Sequence, residues 1–292
     1  MNMLKGKVAV VTGASRGLGQ AVATLFAYEG ASVVLAARSA KNIEQNAASL
    51  CSGGYAAVPY ICDVSDPQQL EALARFAIET YGHFDIWVNN AGTAGPYGST
   101  FDLAPDQFLG VMRTNIFGFY HGSRMAMRHF LPRRSGKLIN ILGAGSRKPV
   151  PNQNAYGSTK AWIRVFTLAV AKEYKHSGMG VHLLQPGLMD TDLLTDLVTF
   201  PNQEKRIRNI MPFLVRAGGK KPEVAAHKAL WLASEATDGK TGLEVRVGST
   251  LSVLVGFLRQ GLRLLLQLPV HPVEMHVQVI PSAFQPLEKK SI

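Results

Sequence analysis

Tyr156 and Lys160, in the stretch Tyr-Gly-Ser-Thr-Lys, are the residues whose types and spacing could do chemistry. Four positions apart, a phenol and an ammonium share one face of a helix. The phenol can give or take a proton, and the ammonium can favour the phenolate electrostatically. A free tyrosine titrates near pH 10, so work near neutrality requires lowering by roughly two to three pH units. No histidine or carboxylate stands close by, and the preceding Ile141-Leu142-Gly143-Ala144-Gly145 offers no hydroxyl before Ser146. Without further context, such a pair on a helix is more often ordinary surface.

A second constellation lies at the other end of the same chemistry. The first apolar run leads into Thr-Gly-Ala-Ser-Arg-Gly-Leu-Gly, residues 12–19, which opens a helical pattern. Gly13 permits the tight turn, and Gly17 and Gly19 let backbone and helix approach a pyrophosphate, with Ser15, Arg16 and Leu18 in the same loop. About twenty residues on, where an NAD site places an acid for the ribose 2′-hydroxyl, the second strand ends in Ala36-Ala37-Arg38. Arg38 and Arg16 suit a 2′-phosphate, so NADP(H) is favoured over NAD(H).

These groups need a frame. Apolar runs at 8–11, 32–36, 56–61, 85–88, 137–141, 181–185 and 243–247 alternate with helical patterns at 19–28, 68–80, 105–130, 155–175 and 222–233. That alternation predicts an α/β fold with a parallel sheet between two helical layers, and ligands at the carboxyl ends of the strands. No repeat or low-complexity linker divides the first 248 residues, which are expected to form one domain. The run in MNMLKGKVAVVTG reads as a strand and not a signal peptide. Cys51 and Cys62 fit no metal spacing and no disulfide framework, so reduced thiols of a cytoplasmic protein are expected and no metal is. The chain carries a formal charge of +11, but its basic residues are dispersed, which argues against nucleic acid and suits phosphate-bearing ligands.

The character changes after Gly248. Residues 249–268 are rich in leucine and valine but carry Arg259 and Arg263, which excludes a bilayer-spanning helix. A helix packed on the domain or another subunit is expected, with an in-plane membrane helix as the alternative. Val273, Met275, Val277 and Val279 alternate, which suggests a short strand or extended arm before a polar tail.

Taken together, residues 4 to 248 resemble the short-chain dehydrogenase/reductase superfamily in its single-domain form. TGASRGLG is similar to its TGxxxGxG turn, and Asn-Asn-Ala-Gly at 89–92 to the motif ending its fourth strand. Tyr156 and Lys160 match its YxxxK signature, and Pro186-Gly187 through Thr191 its PGxxxT segment. The resemblance implies a Rossmann-type, doubly wound, seven-stranded parallel sheet. It implies hydride transfer between a nicotinamide and a carbonyl or alcohol carbon, with Tyr156 as acid/base and Lys160 tuning it and holding the ribose. Asn115 is implied to hold a water linking the lysine to solvent, Asp63 and Val64 to contact the adenine, and Asn90, Ala91, Gly92, Pro186, Gly187 and Thr191 to line the cofactor.

One position departs from the family. Its catalytic serine, thirteen residues before the tyrosine, falls on Gly143, and losing such a donor typically costs about 10²–10³ in rate. Three readings stay open. Another donor substitutes (Ser146, a backbone N–H of 143–145 or a substrate hydroxyl); the chain is a weak enzyme that binds NADP(H) as a sensor or scaffold; or it runs an enoyl reduction or dehydration. Residues 188–216 are read as a substrate lid, apolar from 192 on and including Leu193, which implies a lipophilic substrate beside Gly143. The resemblance implies a homodimer or homotetramer.

Overall fold

A computed structural model describes residues 2–248, 250–269 and 272–285. Its strands are β1 (Val8–Thr12), β2 (Ser32–Ala37), β3 (Ala57–Ile61), β4 (Ile86–Asn89), β5 (Lys137–Ile141), β6 (Gly180–Gln185), β7 (Asp196–Thr199), β8 (Glu244–Arg246) and β9 (His276–Val279). Its α-helices are α1 (Gly17–Tyr28), α2 (Ala40–Ser52), α3 (Pro67–Tyr81), α4 (Pro105–Met112), α5 (Gly118–Arg133), α6 (Asn154–Glu173), α7 (Asp192–Thr195), α8 (Pro201–Gly218), α9 (Pro222–Ala233) and α10 (Thr250–Leu265).

The seven expected strands form one parallel sheet in the order β3-β2-β1-β4-β5-β6-β8. Strand side chains alternate between faces, so β1 serves two cores at once. Ala9 and Val11 join Phe26 of α1, Ile43 of α2 and Ala229 of α9 on one side. Val8 and Val10 join Leu73 of α3 and Phe130 of α5 on the other. Burial on both faces explains why these strands read as unbroken apolar runs. The strand order reverses between β1 and β4, which opens a crevice at their carboxyl ends. Local signals fix the elements around it. Asp66 caps α3 by accepting from Gln68 N at 2.8 Å, Pro67 takes the first turn, and Gly82 ends the helix at φ 81°.

The single helix expected over 105–130 is divided. A π turn over Arg113–Phe117 separates α4 from α5. It brings the fully buried Asn115 inward, where Oδ1 accepts from Thr93 N and Nδ2 donates to Thr93 O, both at 2.9 Å. Such turns are rare and concentrate at functional sites.

The extension folds back onto the lid. β9 adds a parallel partner to β7, registering His276 with Asp196 and Val279 with Thr199. Met275 and Val277 pack against a lid cluster of Leu197, Ile207 and Met211. Beyond β9, Ser282 Oγ donates to Asp102 Oδ1 at 2.6 Å and Ala283 N to Asp102 O at 2.9 Å. On the lid's other flank, α10 lies against α8 with Phe257 edge-on to Phe213, ring centroids 5.5 Å apart. Among the described residues no helix is long and apolar enough to cross a membrane. Ser249 and the polar tail from Pro286 lie outside the described residues.

Candidate active site

A cavity of about 600 Å³ fills the crevice and runs from the ends of β1 to β3 to the base of α6 and the lid. This volume is in the range of small-molecule and cofactor sites. At its centre, β1 delivers the glycine turn. Gly13 holds φ +68°, and a Cβ there would stand 2.8 Å from Ala91 Cα, so only glycine fits. The turn is tied to the end of β4. Thr12 Oγ1 accepts from Asn90 N at 3.0 Å and Ala91 N at 3.2 Å, and Asn90 Nδ2 donates to Gly13 O at 3.2 Å. Helix α1 begins at Gly17 with no side-chain cap and no acid in its first turn. Its free N–H groups and positive dipole end therefore face the cavity, as a pyrophosphate requires.

One end of the cavity is walled by Arg38, Ser39, Asn42, Cys62, Asp63 and Val64. Arg38 Nη1 lies 3.9 Å from Asp63 Oδ2, with its side chain 73% exposed at the mouth. Burial and the neighbouring Asp63 push the Cys62 thiol up to about 12, which disfavours its thiolate. Arg16 does not point to this end. It reaches across the mouth to the lid, Nη1 standing 2.9 Å from Asp192 Oδ2. Exposed pairs of this kind are worth little and open readily.

The other end holds Tyr156 and Lys160 on α6, both buried. Lys160 Nζ donates to Ile141 O at 3.1 Å and lies 4.8 Å from the Phe119 ring centre. Burial disfavours both ionised forms. It raises the Tyr156 phenol and lowers the Lys160 ammonium to about 7. Burial thus moves the tyrosine opposite to the expected lowering.

Gly143 lies on the cavity wall against these two residues. A Cβ built there collides with the Tyr156 hydroxyl and comes within 2.9 Å of its Cζ and 3.3 Å of Lys160 Cε. The tyrosine oxygen thus occupies space that any side chain at 143 would need. Ser146 is turned away from the cavity, its Oγ donating to Gln185 Oε1 at 3.3 Å. Asn115 sits behind Gly92, held by Thr93 and donating to Thr159 Oγ1 at 3.1 Å. Ala91, Gly92, Pro186, Gly187, Thr191 and Leu193 line the wall, as do Ser15, Gly17 and Leu18. Gly19 backs the turn, packed against Gly13 O. Met211 and Leu214 of the expected lid reach the wall, whereas Asn42, Tyr97 and Gln153 carry no motif and escape sequence reading. Gln153 precedes Tyr156 by three positions at the start of α6, which was the one available signal.

The buried lysine has a cost that can be measured. Its folded-state pKa lies below the unfolded value, so between about pH 7 and 10.5 the unfolded chain binds more protons and stability rises with pH. Lys160→Met is expected to stabilise the cofactor-free protein by roughly 1–3 kcal/mol at pH 7, with the gain fading towards pH 10. Urea unfolding of both proteins across that range checks it. A constant or rising gain would contradict the buried charge.

Comparison with known proteins places the chain. The profile of the short chain dehydrogenase family matches residues 7–202. The chain belongs to this family. A 3β-hydroxysteroid dehydrogenase of Eggerthella lenta is 33% identical over 258 residues, spanning 87% of this chain and 97% of the relative. A glucose 1-dehydrogenase of Bacillus subtilis is 29% identical over 252 residues, spanning 86% and 96%. The crystal structure of a gluconate 5-dehydrogenase from Burkholderia cenocepacia, in complex with NADP and tartrate, superposes with a TM-score of 0.75 at 27% identity and covers 86% of this chain and 97% of its own. This short chain dehydrogenase has the seven-stranded parallel frame, and its β9 pairs with β7 of the lid.

Proposed function

We propose that this protein is an NADP(H)-dependent oxidoreductase acting on a carbonyl or alcohol carbon of a lipophilic small molecule. The observation that carries the reading is one cavity with the uncapped α1 N-terminus at its centre, Arg38 at one end and the Tyr156–Lys160 pair at the other. The cofactor, when bound, supplies or accepts the hydride. Tyr156 Oη gives or takes the proton of the substrate oxygen. Lys160 would hold the ribose hydroxyls of a bound cofactor, and its charge would lower the phenol. Arg38 would hold the 2′-phosphate. Leu193, Leu194, Met211 and Leu214 cover the substrate and exclude water. For the donor that position 143 lacks, Gln153 is the replacement. It is on the wall one turn before Tyr156, and its side-chain amide makes no hydrogen bond among the described residues. The test is NADPH consumption over a panel of aldehydes, ketones and quinones, with the corresponding alcohols and NADP⁺ for the reverse direction.

The retracted tyrosine supports a second reading, in which the chain binds NADP(H) tightly but turns over slowly as a sensor. Nanomolar NADPH binding with no turnover on any substrate of the panel would favour it. For cofactor choice, Arg38→Ala is expected to weaken NADPH about 10- to 100-fold while NADH changes less than about twofold, because only one carries the phosphate. Fluorescence titration measures both. Equal losses for the two cofactors would count against the assignment. Assembly follows from the outer faces of α4, α5 and α6, where Leu109, Tyr120 and Val165 are exposed beside Phe117 of the π turn. This apolar surface suits a homodimer or homotetramer in the cytoplasm.

A further inference from the structure

Helix α10 presents two working faces, and only one of them has a partner in the fold. Gly256 and Gln260 are buried towards α8, and Phe257 meets Phe213. On the far side, Val255, Leu258, Leu262, Leu265 and Leu266 are 53%, 65%, 55%, 79% and 57% exposed. At 100° per residue these five share an arc of about 100°, a continuous stripe along the helix. Leu268, also exposed, prolongs it past the helix end. Arg259 and Arg263 fall at one edge of that arc, between the stripe and the buried face.

Charge decides what covers the stripe. Residues 204–223, which include most of the lid helix, hold six basic side chains against Glu204 and Glu223, and Arg208 pairs with Glu204 at 2.9 Å. Residues 247–273 add Arg259 and Arg263, with no acid. Where α10 crosses the end of α8, a hollow of about 220 Å³ opens beside Val255, lined by Arg216, Lys220 and Arg259. A second copy laid on this face would set Arg259 and Arg263, and Lys220 at the hollow, against their own counterparts. An anionic phospholipid surface would meet them with opposite charge, place phosphates at the hollow and take the leucines among its acyl chains.

We propose that α10 docks this protein in the plane of an anionic phospholipid bilayer, with the leucine stripe inserted and Arg259 and Arg263 at the headgroups. The helix lies flat, since it is too short and too charged at its edge to cross. Helix α8 then stands between the bilayer and the cavity, turning Phe213 to α10 and Met211 and Leu214 to the substrate side. The proposal goes beyond the catalytic reading and does not depend on it, because docking needs no turnover.

The experiment is flotation of the full-length protein with vesicles of phosphatidylcholine alone or mixed with phosphatidylglycerol. The protein is expected to float with the mixed vesicles, to remain below with phosphatidylcholine, and to be released by high salt. Arg259→Gln with Arg263→Gln should weaken binding at least about tenfold. Leu258→Ser with Leu262→Ser should abolish it while circular dichroism and NADPH binding stay unchanged, since both side chains point outward. No flotation with anionic vesicles overturns the proposal. So does flotation that neither double variant alters. If wild type does not float and the leucine variant converts a larger assembly into a smaller one by light scattering, a second copy covers the stripe and the proposal is likewise overturned.

Discussion

Tyr156→Phe is expected to lower kcat/KM by at least about 10³-fold and to leave NADPH affinity within about threefold of wild type. The substitution removes one oxygen from a ring that is 7% exposed and keeps the ring itself, so the fold survives. The hydroxyl makes no hydrogen bond within the protein among the described residues, so its loss orphans no partner. Only a role in proton transfer makes it costly. The pH profile sharpens the result. Wild-type turnover should depend on a group titrating far below the buried phenol's resting value, because the ribose-bound lysine and the oxidised cofactor both lower it. The variant's residual rate should lose that dependence. Equal rates for wild type and variant on the best substrate would sink the acid/base assignment, and with it the oxidoreductase reading of the site.

Gly143→Ser carries the opposite sign: turnover is expected to rise about tenfold or more. Any Cβ at 143 collides with the Tyr156 hydroxyl, so the ring must swing towards the cavity, where a substrate oxygen would sit. The new hydroxyl adds a donor of the kind whose removal typically costs about 10²–10³ in rate. The gain is set below that range because Gln153 already fills part of the role. Crowding against Tyr156 and Lys160 should cost about 1–3 kcal/mol, visible as a lower Tm. Combining it with Gln153→Ala separates the donors. In the Gly143 background that change should slow the reaction at least about tenfold, and in the serine background much less. A fall in kcat for Gly143→Ser at unchanged cofactor affinity would mean that the retracted tyrosine is the working one and that the pocket is built around glycine.

The frame of this site is legible in the chain because its signals are local. A doubly buried parallel strand is a short apolar run, and the glycine turn after the first run can serve few purposes. Tyr156 and Lys160 are legible for the same reason, being one helical turn apart. What escapes depends on distance or on a break that leaves no mark in composition. The apolar period of 105–130 passes unbroken through the π turn, so nothing announces that Asn115 is turned inward. Ser146 is the nearest hydroxyl to Gly143 in sequence, yet the loop carries it to Gln185. Asp196–Thr199 has too little pattern of its own to read as a strand, and becomes one because β9 pairs with it. Arg16 lies in the glycine loop, and its pairing with the lid carboxylate Asp192 across 176 positions leaves no local mark.

The seam between β7 and β9 also orders events in time. Glycine turn, NNAG and the Tyr156–Lys160 helix all lie within the first 173 residues. The lid's outer seam needs His276–Val279 laid beside Asp196–Thr199, and Ser282 fastened to Asp102 across 180 positions. Closing so long a loop is entropically unfavourable until the rest of the domain holds its ends together. A growing chain can therefore assemble its dinucleotide cradle before residues 276–282 arrive to pin the lid.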